Sequence, residues 1–288
     1  YSLIVYFARV CIPLVFQFFP IITNTSGVNF YFCGLSNVVV NSGGLIRNYG
    51  PFREPGVFQM FIMIALYYEI FRKNEQSLND IIVLILSVIT TFSTTGYISL
   101  FLIIIAYTQK RMNGKRKKIK LIVLTISIIG IIYMGFGTDL LYKQSYGSVF
   151  GKLFGAYESH SMVARMASIT INTKMFVLKP IWGCGISYVD EMYSTLAFQK
   201  YGITINDNTN TIFIQLARFG LLFTTLFVYR YFKYIIGSTQ SNLFIKLCIL
   251  GSIFSLLFGE DLSYSFLIDL FLFVPKEQLN QETDRQPL

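Results

Sequence analysis

The sequence predicts an all-α fold, a polytopic bundle of transmembrane helices, and three observations carry that prediction. Of the 288 residues, 53% are apolar and only 14% are charged. The apolar residues are gathered into blocks longer than the core helices of soluble proteins need. The cations, which give a formal net charge of +9, gather in the short loops between these blocks. This distribution is typical of cytoplasmic loops in membrane proteins, and it argues against a nucleic acid as the partner of the positive charge.

Seven apolar blocks have the length of a spanning or half-spanning helix. In chain order they cover residues 3–22, 57–71, 81–107, 119–136, 211–229, 243–258 and 262–274. The chain opens at Tyr1 rather than methionine and shows no charged segment with a cleavage site before the first block. We therefore expect the sequence to be a fragment that has lost its N-terminal part.

Three groups of cations predict the orientation of these blocks. Arg72 and Lys73 precede the block 81–107, seven Lys and Arg residues between positions 110 and 120 follow it, and Arg230 and Lys233 form the third group. All three groups should lie in the cytoplasm. Because the block 81–107 has a basic loop at each end, it cannot cross the membrane once and is predicted to be a helical hairpin.

The predicted bend of this hairpin is the sequence Ser-Thr-Thr-Gly at positions 93–96. Each arm has about 12 residues, roughly 18 Å of helix against a hydrocarbon core of roughly 30 Å, so the tip should lie within the membrane. Non-helical backbone at that depth needs protein or water to satisfy its polar groups. The hydroxyl groups of Ser93, Thr94 and Thr95 either line the floor of an outward-facing wet cavity or bond back onto their own helices.

With the basic loops in the cytoplasm and a hairpin at 81–107, residues 1–274 are predicted to form one membrane domain. Its external loops are 23–54 and 137–210, and residues 275–288 are a cytoplasmic tail. The second external loop contains a helix-like stretch at 161–178, followed by Pro180 and the turn-rich sequence Trp-Gly-Cys-Gly at 182–185. No internal repeat is visible in the sequence.

Three arginines in the predicted external loops are candidates for phosphate binding. They are Arg47, Arg53 and Arg165. The planar guanidinium group suits bidentate recognition of phosphate, and these positions lie where the pyrophosphate of a lipid would be after transfer to the outer face. The alternative is that these side chains reach lipid headgroups or cap helices.

Three further residues are candidates for acid/base chemistry. Glu54 precedes Pro55 at the start of a predicted span, where a carboxylate is either a general base or a helix cap. His160 is the only histidine and is either a base near neutral pH or a solvated loop residue. Asp207, with Asn208 and Asn210, stands where the loop enters the next span; these side chains either bind sugar hydroxyls or cap the helix.

The sequence predicts no metal site and no cofactor. Its four cysteines lie far apart, and no acidic pair has the spacing of metal ligands. Aromatic residues of the second external loop, Trp182, Tyr188 and Tyr193, either belong to an interfacial belt or stack on a sugar. Gly220, which follows Arg218 in an apolar run, is interpreted as a close helix contact.

Three separated stretches of the chain resemble the O-antigen polymerase and O-antigen ligase superfamily of bacterial surface-polysaccharide assembly. Residues 47–56 are similar to the family's pattern of arginine, glycine, aromatic and acidic residue before proline. Residues 91–96 resemble its Thr-x-Ser-Arg-Gly element, with Thr95 where many members have arginine. The stretch from Arg165 through positions 180–185 to Asn210 and Gly220 is similar in spacing to its large outer loop and the helix that follows.

The resemblance implies a GT-C-like, metal-independent membrane glycosyltransferase in the bacterial inner membrane, whose donor is an undecaprenyl-diphosphate-linked oligosaccharide. It implies that Arg47, Arg53 and Arg165 hold the pyrophosphate. Asn210 matches an asparagine of the family's pattern and is the residue-based candidate for contact with the glycan. Glu54, His160 or Asp207 would then accept the proton of the attacking hydroxyl. Ligases of the superfamily carry a histidine where this chain has Thr209, which favours a polymerase of O-antigen, capsule or exopolysaccharide.

The expected partners are the lipid-linked glycan, membrane lipid and a chain-length regulator protein. Competing interpretations are an O-antigen ligase, a transporter or flippase of lipid-linked sugars, and a sensor or scaffold without turnover.

Overall fold

The computed structural model describes residues 1–23, 28–40, 46–52, 54–73, 75–110, 124–125, 160–203, 208–237 and 242–262. The described chain is mostly helical, which confirms the prediction of helix as the main element. The chain divides into two compact units, Tyr1–Tyr157 and Glu158–Leu288, and each is described by itself. The polytopic bundle and the single membrane domain over 1–274 stay predictions.

The first unit begins with helix α1, Ser2–Cys11, and a 3₁₀ helix, Pro13–Phe18. A continuous helix through the block 3–22 is therefore wrong. The break lies at Ile12, whose backbone leaves the helical region (φ −135°, ψ 62°). Pro13 accounts for it, because proline disfavours the helical conformation of the residue before it and has no N–H to donate.

A small antiparallel sheet follows, from the end of the apolar block 3–22 into the predicted external loop 23–54, where the sequence predicts no strand. Its strands are β1, Ile21–Thr23, β2, Asn29–Phe32, and β3, Asn37–Val39, in the order β1-β2-β3. Phe30 faces Ile22 on one side and Val39 on the other. One face of the sheet packs on the N-terminal helices through a small core of Val5, Phe16, Cys33 and Val38.

Three helices complete the described part of this unit: α2, Pro55–Tyr67, α3, Leu78–Thr90, and α4, Thr94–Gln109. A π-helical turn, Tyr68–Arg72, extends α2. Both far ends of the α3–α4 pair lie at the end of α2, since Ser77 N donates to Glu69 Oε1 (2.7 Å) and Lys110 Nζ to Ile70 O (2.8 Å). The two helices are thus antiparallel.

The bend between them lies at residues 91–93, slightly earlier than the sequence Ser-Thr-Thr-Gly at 93–96 suggests. Phe92 takes a left-handed conformation there (φ 52°), which is uncommon for a residue with a large side chain. The arms have 13 and 16 residues, about 20 and 24 Å of helix at 1.5 Å per residue.

The second unit contains α5, His160–Leu178, α6, Ile186–Tyr201, α7, Thr211–Gly237, and α8, Leu243–Gly259. The first three share a core. Small and apolar side chains recur at three- and four-residue spacing on α5, as one face of a helix requires, and pack against α6 and α7: Ala164, Ala167, Ile171, Met175, Val189, Tyr193, Ala197 and Ala217.

Within the part of the chain that the structure describes, one helical segment, Thr211–Arg230, is long and apolar enough to cross a membrane by length and composition, and half of its apolar window is buried. Shorter apolar helices are α1, α3, α4 and α8. Two predicted blocks, 119–136 and 262–274, lie outside the described residues apart from 124–125 and Leu262.

Candidate functional site

In the first unit, Arg47 contacts the bend of the α3–α4 hairpin. Its Nε donates to the carbonyl oxygen of Thr91 (2.8 Å) and its Nη2 to that of Phe92 (3.3 Å). Carbonyl groups at the end of a helix lack partners within the helix, and a cation there also complements the helix dipole. The capping alternative for Arg47 is thus realised. These bonds use two of the five N–H donors of the guanidinium group.

The residues after Arg47 fasten the same segment to the hairpin. Asn48 is buried; its backbone N donates to Thr90 O (2.9 Å) and its Nδ2 to Thr90 Oγ1 (3.0 Å). Its Oδ1 accepts from Gly50 N (3.2 Å). Gly50 itself has a positive φ (53°), and an added Cβ would lie 2.5 Å from the ring of Phe58. This backbone is therefore held in one conformation.

The hydroxyl groups of the hairpin bend fall into two sets. Thr91 bonds back onto its own helix, at Val88 O (2.7 Å). Ser93 and Thr95 instead bond to each other (3.1 Å), and Gln59 Nε2 of α2 donates to Thr95 Oγ1 (2.7 Å). Gln59 is fully buried and sequence reasoning missed it. A polar residue inside the apolar block 57–71 was the pattern that could have indicated it.

Glu54 occupies the N-cap position of α2 in an extended conformation, but its side chain makes no capping hydrogen bond. The capping alternative for Glu54 is therefore not realised. The charge of Glu54 acts on Tyr49: burial raises the pKa of the Tyr49 phenol, the positive charge of Arg47 lowers it, and the negative charge of Glu54 raises it. Arg53 lies outside the described residues.

In the second unit, a buried polar cluster joins α5 to the start of α7. Ser168 Oγ donates to Asn208 Oδ1 (2.7 Å) and accepts from the backbone N of Asn210 (3.2 Å). Asn172 Nδ2 donates to Ser168 O (2.7 Å) and Asn208 Oδ1 (2.9 Å). Ser168 and Asn172, one turn apart on the same face of α5, were missed from the sequence.

Four residues predicted to belong to the site lie at or near this cluster in the sequence, and the structure describes them to different extents. Asn210 Oδ1 accepts from Phe213 N (3.3 Å), so Asn210 caps α7 as its alternative role required. Arg165 is half-buried on α5, three residues before Ser168. Asp207 lies outside the described residues, and His160 is the first residue of α5, with its side chain outside them.

Helix α7 is broken at Gly220, which has a non-helical backbone (φ 71°, ψ −173°). The turn at residues 180–185 fills the break. Leu221 N donates to Pro180 O (2.8 Å) and Leu222 N to Ile181 O (3.5 Å). In the other direction, Cys184 N donates to Ala217 O (2.8 Å) and Gly185 N to Arg218 O (2.9 Å). The backbone groups freed by the break are thereby satisfied. Gly220 does make a close contact, but with this turn.

A buried ion pair lies directly before the break. Arg218 Nη2 donates to Asp190 Oδ1 of α6, and the arginine side chain is only 5% exposed. The pair joins α6 to α7 beside the glycines at positions 183 and 185. Sequence reasoning named Arg218 only as a neighbour of Gly220. An arginine inside an apolar run is itself a sign of a paired or functional charge, and that pattern could have identified it.

The three candidate aromatic residues also differ. Tyr193 is fully buried in the core of α5, α6 and α7, so its ring faces cannot stack on a sugar. Tyr188 is 45% exposed and Trp182 is 77% exposed. Trp182 stands in the turn that fills the break of α7, next to Gly183.

Among the residues that the structure describes, no group of three or more His, Cys, Asp or Glu side chains could hold a metal ion. Comparison of the whole sequence and its structure with protein-family models, with curated proteins and with solved structures gives no match.

Proposed function

We propose that this protein is a polytopic, GT-C-like membrane glycosyltransferase that polymerises undecaprenyl-diphosphate-linked oligosaccharides at the outer face of the bacterial inner membrane. The observation that supports the proposal best is the pairing of distant candidate segments within each unit. The segment from Arg47 bonds to Thr91 and Phe92, which belong to the second stretch of the resemblance. The turn at 180–185 likewise fits the break at Gly220.

The reaction needs stabilisation of a departing pyrophosphate. Arginine side chains that are held in place before the reaction stabilise such an anion without reorganisation. Arg47 has three N–H donors beyond the two that bind the hairpin carbonyls. Its fixed position therefore suits it to phosphate binding at the hairpin bend. Arg53 and Arg165 are the further pyrophosphate-binding residues of the proposal.

The second requirement is a proton acceptor for the sugar hydroxyl that attacks the anomeric carbon. Glu54 is the candidate with the strongest structural support, because it stands at the N-cap position of α2 without a side-chain capping bond and its charge acts on Tyr49, as that of Arg47 does. Asp207 and His160 stay candidates for the same role. Asn208 is occupied in the buried cluster of α5, so its amide is a structural element rather than a sugar-binding group.

The test is an assay of purified protein with undecaprenyl-diphosphate-linked repeat units. Polymerase activity lengthens the glycan on the lipid, whereas a ligase needs a separate acceptor and a transporter or sensor leaves the glycan unchanged. Arg165→Ala should abolish long products, and Lys174→Ala, an exposed cation on the same helix, should not. Unchanged glycan length with wild-type protein under conditions in which it is folded refutes the proposal.

A transporter is the competing candidate, and the broken helix α7 favours it, since transporters build substrate sites from interrupted helices. In those proteins the free ends of the half-helices bind the substrate. Here the N–H groups of Leu221 and Leu222 and the carbonyl groups of Ala217 and Arg218 bind the turn at 180–185 instead. The glycosyltransferase is therefore preferred.

A further inference from the structure

We propose that the turn after α5 and the second half of α7 form one lipid-facing surface, in which Trp182 contacts the acyl chains of the bilayer. The surface comprises Val177, Leu178, Ile181, Trp182, Leu222 and Leu226. The inference rests on the membrane location that forms part of the proposed function, and it adds a specific contact that the catalytic proposal does not require.

The exposure of these side chains is the first observation. Val177, Leu178, Ile181 and Trp182 follow one another closely in the chain, and each is more than half exposed. Exposed single apolar residues are ordinary on protein surfaces, but a contiguous group of this size marks a surface that binds another apolar phase.

The group is contiguous with α7. Pro180 O and Ile181 O accept from Leu221 N and Leu222 N, so the turn lies directly against the start of the second half of the helix. Leu222 and Leu226 are one turn apart on that helix, and both are exposed. The exposed apolar residues of the turn therefore stand next to the exposed half of α7.

The exposure of α7 changes at Gly220. From Thr211 to Phe219 no residue is exposed: Ala217 packs in the core shared with α5 and α6, and Arg218 pairs with Asp190 of α6. From Leu221 to Tyr229, six residues are exposed, and five of them are apolar or aromatic. Residues on both sides of the break belong to the one described segment with the length and composition of a membrane span.

Charge complementarity identifies lipid as the occupant. Lys174 and Lys179 are exposed and stand beside the apolar residues of the turn, before Trp182. Tryptophan and lysine side by side with aliphatic residues are the composition of bilayer interfaces, where the ring enters the lipid and the cation binds anionic headgroups. A protein-binding surface would instead be depleted of lysine.

The chain has a single tryptophan, so its fluorescence reports Trp182 alone. The full chain is reconstituted into vesicles of phosphatidylcholine and phosphatidylglycerol, with and without bromine on the acyl chains. We expect brominated lipid to reduce the emission at least twofold and aqueous iodide to leave it nearly unchanged. Strong iodide quenching without an effect of brominated lipid overturns the proposal, and so does protection from both quenchers, which indicates a protein contact.

A positional control moves the probe to another exposed aromatic position. In the double variant Trp182→Phe, Phe198→Trp, the tryptophan stands on α6, where Phe198 is 71% exposed. We expect iodide rather than brominated lipid to quench it. Equal quenching by lipid at both positions contradicts a surface confined to the turn and α7.

The lysines provide a second measurement. The double variant Lys174→Gln, Lys179→Gln should reduce the increase in lipid quenching that phosphatidylglycerol causes, whereas Lys200→Gln on α6 should not. If phosphatidylglycerol increases lipid quenching equally in the double variant and in Lys200→Gln, the proposed role of Lys174 and Lys179 is overturned. Lipid contact at Trp182 without glycan elongation refutes the catalytic proposal alone, and elongation with a water-exposed Trp182 refutes this inference alone.

Discussion

Gly220→Ala should disrupt the packing of α7 on the turn at 180–185. The backbone of Gly220 (φ 71°, ψ −173°) lies in a region that only glycine adopts readily, which costs on the order of 1–3 kcal/mol for alanine. An added Cβ would also clash with Ile181 O and lie 2.6 Å from Gly183 N, so the turn must move away. Loss of the bonds from Leu221 N and Leu222 N adds about 0.5–1.5 kcal/mol for each hydrogen bond.

The sum is roughly 2–6 kcal/mol, a substantial part of the 5–15 kcal/mol that stabilises a typical domain. Two other glycines separate the contributions. Gly185 has a similar backbone (φ 85°, ψ 157°), but no atom lies within 4 Å of an added Cβ, so Gly185→Ala carries the conformational cost alone. Gly202 is a left-handed helix cap in open space, and alanine there costs about 1–2 kcal/mol.

The measurement is chemical denaturation of the purified protein in detergent, followed by circular dichroism for the whole chain and by Trp182 emission for the turn. The expected order of stability is wild type, then Gly202→Ala and Gly185→Ala, then Gly220→Ala well below them. Equal stability of Gly220→Ala and Gly185→Ala would refute the reasoning, since it would mean that the contact with Ile181 and Gly183 contributes nothing.

Further predictions concern the buried polar contacts and one titration. Asp190→Ala leaves the charge of Arg218 buried and should lower the free energy of unfolding by about 2–4 kcal/mol, less than for a fully buried pair because Asp190 is 26% exposed. The control is Glu191→Ala at the adjacent exposed position, whose stability should stay within about 0.5 kcal/mol of wild type in the same denaturation. Ser168→Ala removes the acceptor of Asn210 N and should lower the free energy of unfolding by about 1–3 kcal/mol. Ser194→Ala, at an exposed position of α6, should leave it nearly unchanged. Arg47→Met should cost about 2–3 kcal/mol through two charged hydrogen bonds to the hairpin carbonyls, and unchanged stability would exclude Arg47 as their cap. The hydrogen bond to Glu69 raises the pKa of Lys73 above 10.5, so the ion pair contributes fully to the free energy of unfolding below that pH, and the contribution is lost as the pH rises through the raised pKa. The stabilities of wild type and Lys73→Met, measured by denaturation, should therefore converge at high pH. A constant difference between them would contradict the ion pair.

The helices were the predictable part of this fold, and the breaks in them were the part that depended on particular residues. Apolar periodicity and Pro180 placed a helix at 161–178, and the structure has α5 at His160–Leu178. Pro13 carried enough information to end the first helix at Cys11, because the residue before proline avoids the helical region. Apolar composition alone predicts a helix through the block 3–22, whereas the proline within it predicts the observed break.

The short strands were harder to find, since their pairing depends on partners distant in the sequence. β2 and β3 have three or four residues each, and the turn between them needs the positive φ of Gly34 (70°). Such short strands are marginal alone and form here because Phe30, Cys33 and Val38 are buried. Composition indicated a loop, whereas the contacts of the folded unit determine a sheet.

For the candidate site, too, the residue types could be predicted from the sequence, whereas the roles of the residues depend on contacts in the fold. Residue type identified Arg47 and Asn210 as candidates, but either could bind a ligand or cap a helix. Only the contacts of the folded chain show that Arg47 caps the hairpin and Asn210 caps α7. Ser168 and Asn172 were missed because a serine and an asparagine in a helix usually face solvent, and only α7 packed on α5 makes them a buried network.

An apolar helix that contains both an arginine and a break departs from the pattern of an ordinary membrane segment. The structure places the two features one residue apart, with the charge paired to Asp190 and the freed backbone groups bonded to the turn at 180–185. Neither a charge nor an unsatisfied N–H is thus presented to the surroundings from this part of α7, which is the condition for irregular backbone at membrane depth. The exposed side chains that remain beyond Gly220 are mostly apolar. Because the same turn that bonds to the break also carries Trp182, we expect any displacement of the turn to alter the surroundings of Trp182 and the stability of α7 together.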